Sequence, residues 1–229
     1  MSLDRFEPLS VMHLVVVVVL AFATWAVVRG SRGLSRRSLD RRRFWIGLVA
    51  LGVFLANQVY WMGFRSGSGE SLPLHLCDVA GLIAALAFLI PTRALRALLY
   101  YWGLGLSTLA FVIPVTRAGP NSPEFWLFWI SHWAIVGGAI YLVTADGFRP
   151  AWRDLWFATA AMVVCGFLTM LLNIAWGTNY MYTGDHPMPT PGELELAWPV
   201  PRVPILGVAA FALMLAAHLP WAMRKGGTR

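Results

Sequence analysis

Residues 10–29 read SVMHLVVVVVLAFATWAVVR, and residues 30–43, which follow, read GSRGLSRRSLDRRR. The first stretch is as long as the ~20 apolar residues a helix needs to cross the ~30 Å hydrocarbon core of a bilayer. It is apolar along nearly its whole length and does not alternate, so it reads as a helix and not as a strand of a membrane barrel. The second stretch carries six arginines and reads as a connection held at a membrane surface. The first run is too long for a signal-peptide core and shows no small-residue cleavage site, so it is expected to stay in the protein as a span.

Working outward, comparable runs lie near 44–64, 73–91, 94–115, 124–144, 154–177 and 203–223. The expected fold is all-α: a polytopic seven-transmembrane-helix bundle forming one integral membrane domain over residues 1–229. Composition agrees, since 58% of the residues are hydrophobic, 13% are charged, and the mean hydropathy is +0.63. A soluble core of this size could not hide so much apolar surface, which excludes a water-soluble enzyme and a disordered chain alike.

The net charge of +7 does not imply nucleic acid as a partner, because the basic residues lie between apolar runs and form no folded patch. Of the 18 lysines and arginines, 14 fall on alternate loops, at 29–43, 93–96, 149–153 and 224–229. The inside-positive rule makes that side cytoplasmic, with the N-terminus outside and the C-terminus inside. Arg5, Arg65, Arg117 and Arg202 fall on the other side. The connection near 178–202, rich in proline, could lie across the outer mouth of the bundle as a lid.

Polar residues inside spans are costly, so their depth is informative. Span two carries Asn57 and Gln58 roughly 10 Å below its outer end, and span three carries His75, Cys77 and Asp78 within roughly 8 Å of its own. His132 lies roughly 12 Å down span five and Asn173 roughly 6 Å down span six, by the same helical rise. Four spans thus contribute to one polar layer in the outer half. His75 and Asp78, three apart, share a helix face, whereas Cys77 points about 200° away from His75. A partner for the thiol must therefore come from another helix, and His132 is at the right depth. Cys77 sits near a helix start, where the dipole favours a thiolate. Gly81, Ala84 and Ala85 continue its face and leave room for a backbone or an acyl chain. Cys165, mid-span among apolar residues, reads as a small hydrophobe.

The stretches L-P-L-H-L-C-D at 72–78, W-I-S-H-W at 129–133 and W-G-T-N-Y-M-Y at 176–182 resemble the YwaF family of bacterial membrane proteins. That family is similar to eukaryotic transmembrane protein 164 and, more distantly, to the androgen-induced membrane hydrolases. The resemblance implies a multi-pass enzyme of the bacterial inner membrane in which a third-span cysteine forms an acyl thioester, helped by a later histidine. Those roles fall on Cys77 and His132.

The expected chemistry is transfer or hydrolysis of an acyl group from a membrane phospholipid to a lysophospholipid or to water, with no cofactor. Asn57 or Asn173 would hold the oxyanion, His75 and Asp78 would orient the site, and Arg65, Arg117 or Arg202 would meet the headgroup phosphate. One alternative makes His75, Asp78 and His132 ligands of a catalytic zinc. Another is a non-enzymatic receptor or transporter for a lipid or small ligand. A retinal pigment is excluded, because the single lysine, Lys225, lies beyond the last apolar run.

Overall fold

A computed structural model describes residues 3–64, 72–184 and 202–224. Among these the regular structure is helical: α1 (Val11–Arg29), α2 (Arg36–Phe64), α3 (Leu76–Leu89), α4 (Arg93–Tyr100), a π-helical segment (Tyr101–Ser107), α5 (Leu109–Val112), α6 (Pro123–Thr144), α7 (Trp152–Trp176), a single 3-10 turn (Tyr180–Tyr182) and α8 (Arg202–Arg224). Arg65, the lid segment at 185–201 and Lys225 lie outside the described residues.

Six helices are long and apolar enough to cross a membrane: α1, α2, the composite Arg93–Val112 helix, α6, α7 and α8. Their outer faces are apolar as well. Val15, Val18 and Phe22 on α1 and Phe167, Leu168 and Ile174 on α7 are all more than half exposed. In water that surface would aggregate, whereas in lipid it is solvated. The chain is a multi-pass membrane protein.

The stretch expected as the third of seven spans, 73–91, folds as the 14-residue α3, about 21 Å long and shorter than the hydrocarbon core. Two prolines set its limits. Pro73 keeps the entry at 72–75 non-helical, and Pro91 pushes Ile90 to φ −125° and ψ 78°, which ends the helix at Leu89. At the opposite extreme α2 starts at Arg36, well before the expected boundary at 44. Ser35 accepts from the Ser38 amide, and Asp40 lies 3.9 Å from Arg36 and 3.3 Å from Arg43, so the arginine run is itself helical.

The composite fourth helix is the most buried span, with half of its apolar window inside the protein. Its π-helical segment contains Gly103, where a Cβ would come within 2.9 Å of Ala139 Cβ, so α6 packs directly on its backbone. Gly47 does the same for α2, since a Cβ there would meet the Leu89 side chain at 2.8 Å. Between these close approaches the core closes on Ala84, Ala87, Phe88, Tyr101, Ile135 and Leu142. Ala84 and Ala85 are fully buried in this packing and leave no room for a ligand, unlike Gly81.

The N-terminal segment is folded back onto the bundle. Phe6 is fully buried against Phe125 and Trp129, and the Phe6 amide donates to the Arg117 carbonyl at 2.9 Å. His13 is wholly committed to this packing: Nδ1 accepts from the Leu9 amide at 3.0 Å, which leaves Nε2–H to donate to the Phe111 carbonyl at 2.9 Å.

Candidate functional site

The late start of α3 decides where its first turn lies. With His75 as the N-cap residue, Cys77 and Asp78 occupy the first turn, beside the last turns of α2. Asp78 Oδ1 accepts from Gln58 Nε2 at 3.1 Å and Asn57 Nδ2 at 3.4 Å, which levels the two helices and neutralises two amide donors in an otherwise apolar interface. Asp78 is thereby committed to α2 and not to His75.

From α6, His132 reaches across to Cys77. Its Nε2 lies 3.2 Å from Cys77 Sγ, and its Nδ1 lies 2.7 Å from the Phe128 carbonyl. A carbonyl can only accept, so Nδ1 carries the proton. In the neutral ring Nε2 is then a bare acceptor, and the thiol donates to it. His132 is 7% exposed, and Phe128, one turn earlier, lies with its ring centroid 4.4 Å from the imidazole, which fixes the ring plane. The pair is held by backbone and packing, with no carboxylate behind the imidazole.

Cys77, Asp78, Asn57, Gln58 and Gly81 line a narrow crevice that Ser131 completes. It has room for about one water molecule, with a volume near 10 Å³. Ser131 and, in the π-helical segment, Ser107 differ from the helical threonines. Thr24, Thr108, Thr144 and Thr159 each donate to the carbonyl one turn back, at 2.6–2.9 Å. Ser131 Oγ is buried and has no hydrogen-bond partner. A buried hydroxyl left unpaired costs about 1–3 kcal/mol unless something at the site uses it.

The remaining expected site residues fall elsewhere. Asn173 is not among the crevice residues: its Oδ1 accepts from the Tyr180 amide at 2.9 Å and Thr178 Oγ1 at 2.7 Å, and its Nδ2 donates to the Tyr180 carbonyl at 2.9 Å and Thr183 Oγ1 at 2.8 Å. These bonds hold the turn after α7, in which Met181 and Tyr182 take left-handed φ values of 54° and 58°. Such angles cost roughly 1–2 kcal/mol for a side-chain-bearing residue, which the Asn173 bonds offset. The turn seats Tyr180 against α3: its hydroxyl accepts from the Leu72 amide at 3.0 Å, and its ring lies 5.3 Å from that of His75. His75 and Asn173 thus belong to the frame that positions the α3 entry. Arg117 donates to the Pro114 carbonyl at 3.4 Å, and Arg202 donates to the Gly184 carbonyl.

Among the described residues no group of three or more His, Cys, Asp or Glu side chains is placed to hold a metal ion, His75, Asp78 and His132 included. Cys165 is the internal contrast to Cys77. It packs against the apolar core, and its carbonyl accepts the Thr169 hydroxyl.

Sequence inspection passed over Ser131 and gave Gln58 no role of its own. The signal for Ser131 was present: it stands three residues before Ala134, on the stripe of α6 that faces α2.

The fold and the crevice define a multi-pass helical membrane protein with a thiol and an imidazole from separate helices in hydrogen-bond contact. The family described as the TMEM164 family matches residues 3–219, and the chain belongs to it. No curated protein and no solved structure matches the chain.

Proposed function

We propose that the protein is a membrane acyltransferase or acyl hydrolase that carries the acyl group as a thioester on Cys77, with His132 as the base. The observation that carries this reading is the 3.2 Å contact between Cys77 Sγ and the unprotonated Nε2 of His132. In the first half-reaction Nε2 takes the thiol proton and the thiolate attacks the ester carbonyl of a phospholipid. The carbonyl–oxygen bond to the glycerol breaks, and the leaving alkoxide recovers the proton from Nε2–H as a lysolipid. In the second, a lysolipid hydroxyl or water gives its proton to Nε2 and attacks the thioester, and the carbon–sulfur bond breaks to release the thiolate, which recovers the proton from Nε2–H.

The oxyanion of each tetrahedral intermediate needs donors aimed at one point. Ser131 Oγ–H is free to serve, and the Asn57 and Gln58 amides each keep a second N–H beyond the one given to Asp78. No cofactor is required.

The reading includes a topology. The arginine distribution supports seven spans with the N-terminus outside, α3 and its irregular entry counting as one crossing, which sets the crevice on the outer-leaflet side of a bacterial inner membrane. Ester linkages lie near that boundary, and Arg117 is at the same end for a phosphate. The motifs around Cys77, His132 and Asn173 support a place in the YwaF-like bacterial branch of the family.

The test is reaction of the purified protein with a lipid-like, thiol-reactive acyl probe. Labelling is expected to vanish in Cys77→Ala, persist in Cys165→Ala and slow in His132→Ala. Equal slow labelling of both cysteines would make Cys77 a packing residue and overturn the reading.

A further inference from the structure

Directly adjoining the thiol crevice is a much larger space. An apolar groove of about 290 Å³ runs between α1, α2 and α6, and it meets the crevice at Ala50 and Ala134, which line both. From Ala50 it continues past Val49, Ile46 and Trp45 to Arg42, eight residues along α2, or about 12 Å. On α6 Gly137 lines it, where a Cβ would come within 3.2 Å of Thr24 Oγ1 and Trp133 Nε1. Trp45 and Val49 on the rim are 59% and 61% exposed, so the groove is reachable from the lipid phase.

The far end is chemically different. Arg42 donates to Ser31 Oγ at 3.0 Å and to the Val27 carbonyl at 3.4 Å, in the last turn of α1, where a cation is favoured by the helix dipole. Ser31 Oγ also lies 3.4 Å from the Tyr141 hydroxyl. The groove is therefore apolar along its length and ends against the hydrogen-bonded Arg42 and Tyr141. A charged, hydrogen-bonded floor is a poor neighbour for the methyl end of a hydrocarbon chain.

Resting on the thioester reading above, we propose that this groove holds the fatty acyl chain of the group carried on Cys77, with the carbonyl in the crevice and the chain running toward Arg42, whose floor limits the chain length accepted. The physical basis is shape and not transfer out of water. A chain leaving the bilayer for the groove exchanges one apolar surrounding for another, so its hydrophobic gain is small. Selection then comes from packing along the walls and from the penalty at the floor, which depends on length. A surface crevice that merely accommodates bulk lipid would show no such dependence and would have no link to the thiol.

The experiment uses the full chain in phosphatidylcholine nanodiscs with alkyne-tagged phospholipids bearing octanoyl, palmitoyl or arachidoyl chains, and reads acylation of Cys77 by mass spectrometry. Val49→Trp fills the groove from an exposed position that the core does not depend on. It is expected to lower the palmitoyl-to-octanoyl ratio about tenfold, the usual effect of losing room for a methylene or more. Arg42→Met keeps the stem but removes the charge, and it is expected to raise the arachidoyl-to-palmitoyl ratio by about the same factor. Unchanged ratios in both variants would overturn the groove while leaving the thioester intact. Should no probe acylate Cys77 although iodoacetamide alkylates it, the thioester reading itself fails. A phospholipid with a terminal diazirine then decides the groove by itself. Crosslinks concentrated on Ile46 and Val49 and displaced in Val49→Trp support it, and crosslinks spread evenly over the outer helices overturn it.

Discussion

The two ends of the bundle bury polar groups in opposite ways. At the end away from the thiol, carboxylates meet guanidinium groups: Arg93 Nη2 lies 2.6 Å from Asp154 Oδ2, Arg96 Nη2 lies 2.6 Å from Asp146 Oδ2, and Arg43 stands 3.7 Å from Asp146. Asp154 also accepts the Ala151 amide at 2.8 Å and so caps α7. Opposite charges and caps absorb one another, which ties four helix ends together. Around the thiol the Asp78 carboxylate is held by two neutral amides, and the imidazole is supported by a carbonyl. There the thiol and the imidazole nitrogen bond only to each other, and the Ser131 hydroxyl has no partner. The first arrangement holds the bundle together, and the second leaves chemistry available.

That contrast can be broken in order of effect. Cys77→Ala should abolish acyl labelling with little change in thermal unfolding, since a half-buried thiol is replaced by a methyl group. His132→Ala should slow labelling by about 10²–10⁴-fold, the range for loss of a positioned base, and the rate should lose its dependence on the imidazole's protonation. Ser131→Ala should slow turnover by about 10²-fold if the hydroxyl serves the oxyanion, and it should leave stability equal or higher because an unpaired group is removed. A variant that lost stability and kept its rate would assign Ser131 to packing. Asp154→Ala should do the reverse: a loss of about 2 kcal/mol in detergent unfolding, from a cap and a partly exposed ion pair, with acyl labelling per folded molecule unchanged.

The smallest effect is a pH dependence at the arginine end. Burial raises the Asp146 carboxyl above its ordinary value of 3.8, opposed by Arg96 and Arg43. The folded state therefore keeps that proton to higher pH than the unfolded chain does. Its contribution is present at low pH and is lost as pH rises from the ordinary carboxylate value through the raised one. The difference in melting temperature between the wild type and Asp146→Asn should show this slope, and a flat difference across that range would remove Asp146 as its source.

The comparison also bears on how much could be read before folding. Lipid-length apolar runs, the arginine asymmetry and the depths of Cys77 and His132 follow from residue order, because hydropathy and a rise of 1.5 Å per residue are local properties. The same arithmetic placed Asn173 with the thiol, yet its amide is spent on the turn after α7. Depth orders residues along a helix axis and carries no information on which way each faces a neighbour. Local chemistry also hid the start of α2 at Arg36, where ion pairs made a charged run helical.

What the sequence by itself determined is a membrane protein of long apolar helices, several of which carry polar residues at a common depth. Only the tertiary structure decided the rest: that α3 is short and begins beside Gln58, that His132 turns its bare nitrogen to Cys77, that Ser131 is left without a partner, and that a groove reaching Arg42 adjoins the crevice. These depend on how helices are rotated and brought together. Close approaches at Gly47 and Gly103 and the π-helical turn set those rotations through contacts between residues far apart in the chain.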